Sequence, residues 1–493
     1  MSQPEAPQSR RAARDSLNTK PAKAPKPAGD GVGPFAKHPR AWLAAALGVA
    51  FLLLGTGAVF AGAAIGGSGG PVGVGPSSTA DAARAVPVDM PAASRLRTCS
   101  IAALATDPRL ASFAGAVVNA TTGELLFDRA ASAGASQGSV VQVLTAAAAL
   151  NILGPDFRMT TRVYEGSAAG TIVLVGGGDS TLSRLGAGQE SVYAGAEKLE
   201  NLAAEVKGLY TGMVTNIVLD SSMWSVGDKW DATWPRAEQT GGNLSEITAL
   251  QVDGDRNDPT AQTSPRSTDP VTRAGTWFAE ALKDAGVDID PDTVTFSSGA
   301  AVTTKPLLGE VSSQPVSVLI NQMLVASDAT LAETLARVIS KQMGLGGSAA
   351  SINQAITSSV AVYEVDTGGV TVHDGSGTSG ANSVPPAFMA KFMIKVSQGA
   401  ANLNLVYDSL AVAGTKGSLA NRFTGANAAA KGAVTGKTGS SGGVYSLAGV
   451  IVAADGSPLA FAFYAIGAKD TARAAIDALA TGAFGCGDNL SNN

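Results

Sequence analysis

Histidine is nearly missing from this 493-residue chain, which holds only His38 and His373. Cysteine is equally scarce, with Cys99 and Cys486 alone, and charged residues make up just 15% of the sequence. Each shortage excludes something. Two histidines so far apart cannot build a histidine-based zinc cluster, and a Ser-His-Asp hydrolase would have to use His373. A formal net charge of −5 excludes a general nucleic-acid binder. No internal repeat is present. A composition that is 45% hydrophobic is too apolar for a chain disordered throughout.

The charge that exists is unevenly placed. Residues 1–40 carry eight Lys/Arg against three Asp/Glu, whereas the rest of the chain carries 27 against 37. Between Arg40 and Asp81 there is no charge at all, and Ala41 to Ile65 is a continuous run of small apolar residues. As a helix it would be about 37 Å long, enough to cross roughly 30 Å of hydrocarbon with some tilt. The basic flank predicts a cytoplasmic N-terminus and an exported remainder. A cleaved signal peptide is the competing reading, although its apolar core is normally shorter and nearer the start. Residues 1–40 read as a disordered basic tail and 66–95 as a Gly/Ser/Pro-rich linker. In an exported protein, Cys99 and Cys486 suggest one disulfide tying together the ends of the folded part, against the alternative of two free thiols.

The folded part mixes strand and helix signals. Residues 113–129 alternate as a hairpin with its turn near Thr122-Gly123, and 444–467 read as two strands about an Asp455-Gly456 turn. Residues 139–153 read as a buried helix with Ser139 as its N-cap, and 317–343 as two helices broken near Ser327-Asp328. Strands bracketed by buried helices predict an α+β fold with a central antiparallel sheet. The chance G-x-S-x-G matches at 66–70 and 439–443 lack the strand and helix that a nucleophile elbow needs. Gly436-Lys437-Thr438 is not a phosphate loop, because Gly432 stands one residue too close.

Lys437-Thr438-Gly439 alone is a weak signal, but its company is specific. A serine opens a helix in SVVQVLTAAAAL (139–150). LVGGGDSTLS (174–183), MLVASDATLAETLARVIS (323–340), VHDGSGTS (372–379) and GKTGSSGGVYSLAGVIVAADGSPLAFAF (436–463) then follow in order. The set resembles the D-alanyl-D-alanine carboxypeptidase/endopeptidase family, the class C low-molecular-mass penicillin-binding proteins, over about residues 99–488. The resemblance implies a penicillin-recognising (transpeptidase-like) domain at 96–163 and 305–488, with a second domain inserted at 164–304. It implies no cofactor. The partners it implies are a peptidoglycan stem peptide ending in D-Ala-D-Ala, or a β-lactam, and possible cell-wall proteins.

That family uses S-x-x-K, S-x-N and K-T-G. The resemblance places catalytic roles on Ser139, Ser327 and Lys437, and substrate binding on Thr438, Gly439 and Ser440. Two positions depart from the pattern. Gln142 stands where the first lysine belongs, and Ala329 where the asparagine belongs. No S-x-x-K occurs anywhere in the chain. An amide has no usable basicity at neutral pH, so Ser139 would lack its base. Ala329 lacks the amide that would bind the substrate peptide group. Two readings follow: a degenerate family member that binds or scaffolds, which the two replacements favour, or an active serine carboxypeptidase using Ser139 with a substitute base.

Overall fold

The computed structural model describes residues 96–492. The expected tail (1–40), membrane-spanning run (41–65) and linker (66–95) lie outside the described residues. Among the described residues no helix is long and apolar enough to cross a membrane.

The chain begins with a hairpin of β1 (Ser112–Asn119) and β2 (Leu125–Arg129), turned at Gly123, whose φ of +75° suits glycine. A 3₁₀ turn, Gly138–Val141, then leads into helix α1 (Gln142–Ile152). This corrects one sequence expectation. Ser139 lies inside the turn and makes no cap hydrogen bond, because the tight turn has already begun one residue before it. Next come β3 (Thr160–Glu165), β4 (Thr171–Val175), α2 (Leu199–Leu209), β5 (Asn216–Asp220), α3 (Pro270–Asp284), β6 (Thr295–Ser298) and β7 (Leu307–Ser312). The remainder runs α4 (Val316–Ala326), α5 (Ala329–Gln342), α6 (Ile352–Val360), α7 (Pro386–Ser397), β8 (Ala411–Val412), β9 (Val434–Ser441), β10 (Val444–Val452), β11 (Pro458–Ile466) and α8 (Ala472–Cys486).

Two sheets result. The central one has the order β2-β1-β11-β10-β9-β8 and is antiparallel throughout. Period-two alternation sorts its side chains between faces. Phe461 and Phe463, with Leu447 and Ile451, pack toward α8. Ala460, Ala462 and Tyr464, with Ala448 and Val450, face a larger core shared with α1, α4, α5, α6 and α7. Small residues on that second face let helices sit close. Buried almost all round, α1 has nine of its eleven residues inside, as its predominantly apolar sequence requires.

The second sheet, β6-β5-β4-β3-β7, is mixed, with parallel pairing of β4, β5 and β6 and a core of its own against α2 and α3. Its strands begin at Thr160 and end at Ser312, a wider span than 164–304. Part of the intervening chain packs elsewhere: Trp224, Trp234 and Ile247 belong to the core of the larger helical layer. A disulfide joins Cys99 to Cys486.

Candidate active site

Three elements converge on one cleft of about 360 Å³. The 3₁₀ turn before α1 supplies Ser139, the break between α4 and α5 supplies Ser327 with Ala329, and β9 supplies Thr438 and Ser440. Close glycine packing brings the first and third together. A Cβ added at Gly439 would lie 2.6 Å from Gln137 O and 3.1 Å from Ser139 N. Gly377, at φ +84°, presses against the Gly138–Ser139 backbone from the other side.

Ser327 occupies the left-handed region, with φ 55° and ψ 40°, which bends the chain sharply between two helices. Asp328 fixes the bend by capping α5 through Leu331 N at 2.9 Å. Its other oxygen receives Arg256 Nη2 at 2.8 Å and Tyr193 OH at 3.0 Å, all three side chains being buried. Burial alone would raise the Asp328 pKa, yet the Arg256 and Arg266 guanidiniums hold it below the ordinary carboxylate range.

Lys437 is almost completely buried. Its Nζ lies 2.8 Å from Ser327 Oγ and 2.9 Å from Thr438 O. Desolvation pushes its pKa down to about 7, so near neutrality much of it is free amine. Gln142 is fully buried one turn along from Ser139. Its Nε2 donates to Ser376 O at 3.2 Å, and its Oε1 lies 3.5 Å from Ser327 Oγ, at the limit of a hydrogen bond. Ser139 Oγ hydrogen-bonds to nothing among the described residues. Ala329 lines the cleft with a methyl group only. The structure therefore brings Ser139, Ser327, Thr438, Ser440 and Ala329 to one opening, with Lys437 and Gln142 beneath it.

His373 lies elsewhere, with Nε2 3.0 Å from Asp231 Oδ2, and does not line this cleft. The Asp374-Gly375-Ser376-Gly377 run forms a turn behind it. Asp374 accepts from Trp234 Nε1, Asn382 Nδ2 and the Gly377 and Ser379 N–H groups.

Four participants were not legible in the sequence. Arg256 is 72 residues from Asp328, and no local pattern joins them. Arg473, in the first turn of α8, reaches Ser440 Oγ at 3.4 Å. Glu333 and Arg337, four apart on α5, resemble an ordinary surface pair, but both are fully buried. Glu333 Oε1 accepts from Ser376 N at 2.7 Å, while Oε2 is buried without a partner. Burial, reinforced by the neighbouring Asp374 charge, pushes its pKa up to about 8.

A serine before a buried helix, a second serine between two helices and a lysine on a sheet strand define the class: the fold shared by penicillin-binding proteins and serine β-lactamases. Within it, the chain belongs to the D-Ala-D-Ala carboxypeptidase 3 (S13) family, whose model matches residues 97–266 and 257–482. Carboxypeptidase DacB of Mycolicibacterium smegmatis is 34% identical over 422 residues, covering 84% of this chain and 89% of that protein. A carboxypeptidase of Mycobacterium tuberculosis is 34% identical over 400 residues, covering 79% and 84%. The crystal structure of penicillin binding protein 4 from Haemophilus influenzae superposes with a TM-score of 0.61 at 20% identity, covering 75% of this chain and 94% of that one.

Proposed function

We propose that this protein is a membrane-anchored, wall-facing member of the family that binds D-Ala-D-Ala stem peptides at a site whose Ser139 has lost its base. In this reading the run 41–65 is the anchor, residues 1–40 are cytoplasmic, and the five-stranded layer is an insertion in the transpeptidase-like domain. One observation carries the loss of activity: the position one turn from Ser139 holds a buried neutral amide, already bonded to Ser376. The binding half persists. β8 pairs with β9 only at Thr435 and Gly436, which leaves the edge from Lys437 onward open to an added peptide strand. Arg473 beside Ser440 offers positive charge for a terminal carboxylate.

The purified full-length protein, mixed with a diacylated Lys-D-Ala-D-Ala peptide, tests this. Calorimetry is expected to register binding, and an assay for free D-alanine no release that depends on Ser139. Release abolished by Ser139→Ala overturns the reading. The alternative, an active carboxypeptidase working through Ser139, needs a substitute base. Lys437 is the amine available, and its bond is to Ser327.

A further inference from the structure

Both departures from the family motifs fall close to Ser327. Gln142 removes a positive charge from beside Ser327 Oγ, its own Oε1 being 3.5 Å away. Ala329 removes a side chain from the cleft wall next to it. What remains within hydrogen-bond reach is one amine, Lys437 Nζ at 2.8 Å. Ser139 has no such partner.

We propose that Ser327, with Lys437 as its general base, is the serine of this site that accepts an acyl group, and that strained acyl donors of the β-lactam type are its reagents. The proposal rests on the reading of Ser139 as unarmed. A neutral lysine and a serine at this separation form a sufficient dyad for nucleophilic attack. Lys437 satisfies the protonation requirement through burial. With one N–H on Thr438 O, its lone pair is available to the Ser327 hydroxyl. The left-handed conformation at Ser327 is the kind of local strain that gathers at functional turns. Beside it stands the positive end of α5. The first N–H groups of a helix have no intrahelical partner, and in α5 the Asp328 side chain occupies only that of Leu331.

The step balances within the site. Lys437 Nζ takes the Ser327 hydroxyl proton as Oγ bonds to the lactam carbonyl carbon. The carbonyl oxygen becomes an oxyanion. When it collapses, the C–N bond breaks and the lysine ammonium returns the proton to the ring nitrogen. The product is an acyl ester on Ser327 that keeps every atom of the lactam. Water can later cleave it by the same proton route.

The test is to incubate the full-length protein with benzylpenicillin, weigh it intact and map the modified peptide. The expected result is a gain of one whole penicillin located on Ser327. Mapping the natural protein does not depend on any variant folding. The adduct should persist in Ser139→Ala and vanish in Ser327→Ala. Lys437→Met should slow labelling by about 10²-fold or more. The labelling rate of the natural protein should climb as pH rises through about 7, where the amine becomes free. An adduct on Ser139 overturns the proposal and also the reading of Ser139 as unarmed. No adduct overturns the proposal alone, and stem-peptide binding without D-alanine release would then still stand.

Discussion

The proposed loss of base catalysis turns on one amide, that of Gln142. Gln142 is bonded on one side to Ser376 and lies at the limit of contact with Ser327 on the other, so a lysine there would place a second amino group beside Ser327. On that proposal, restoring both motif positions, Gln142→Lys with Ala329→Asn, should raise D-alanine release from a stem-peptide analogue. A gain of about 10²–10⁴-fold is expected if base and amide were the missing parts. A double variant that gains nothing would show that the cleft itself has drifted. The missing lysine was legible because a motif names its position. The Lys437–Ser327 pair was legible only through the family resemblance, since 110 residues separate its members and no local pattern joins them.

Glu333 makes a second residue-scale case. Its folded pKa lies above the unfolded value, so the folded state binds more protons between the ordinary glutamate range and about 8. Stability contributed by this group is complete at acid pH and is lost as pH rises through that window. Glu333→Gln, which keeps the shape and stays neutral, should flatten the decline in melting temperature between pH 5 and 8.5. An unchanged pH profile would mean that another group sets it.

At the scale of elements, most of the architecture could be read ahead. The hairpins turned at Gly123 and Asp455-Gly456, and the helix pair broken at Ser327-Asp328, carry strong local signals. The start of α1 does not. A serine before an apolar run resembles a cap, but the tight turn around Gly138 is imposed by contact with β9 and the Gly377 loop. Those contacts leave no room for a side chain at Gly377, where a Cβ would lie 2.8 Å from Ser139 N and closer still to Gly138 O. Gly377→Ala should therefore cost about 2 kcal/mol or more in chemical denaturation and weaken stem-peptide binding, because both strain and a backbone clash must be absorbed. A variant as stable as the natural protein would show that the loop yields freely.

Across the whole molecule, the extent of the second sheet was the hardest feature to place. Its outer strand β7 pairs with β3 across a separation that no local pattern reports; β3 lies partly and β7 wholly outside the expected 164–304. The cysteine pair was easier, since the chain holds only two cysteines, near the two ends of the folded part, and one disulfide was expected over two free thiols. The Cys99–Cys486 bridge spans 387 residues, and replacing both cysteines with alanine should lower stability by roughly 2–4 kcal/mol, measured by thermal melting under non-reducing conditions. No change would mean that the surrounding pairing suffices without the bond.

That pairing has a mechanical consequence. Cys99 N–H donates to Asn489 O, Ser491 N–H donates to Cys99 O, and Arg97 reaches the Asp488 backbone, all within a few residues of the disulfide. A pull on the amino-terminal end therefore meets a covalent clamp at once and passes into the last helix. The clamp lies at the start and end of the folded chain, whereas Ser139, Ser327 and Lys437 come from its interior segments. If the proposed anchor holds, tension entering at residue 96 meets this clamp before the cleft, and the molecule could be held taut at one end with its site undeformed.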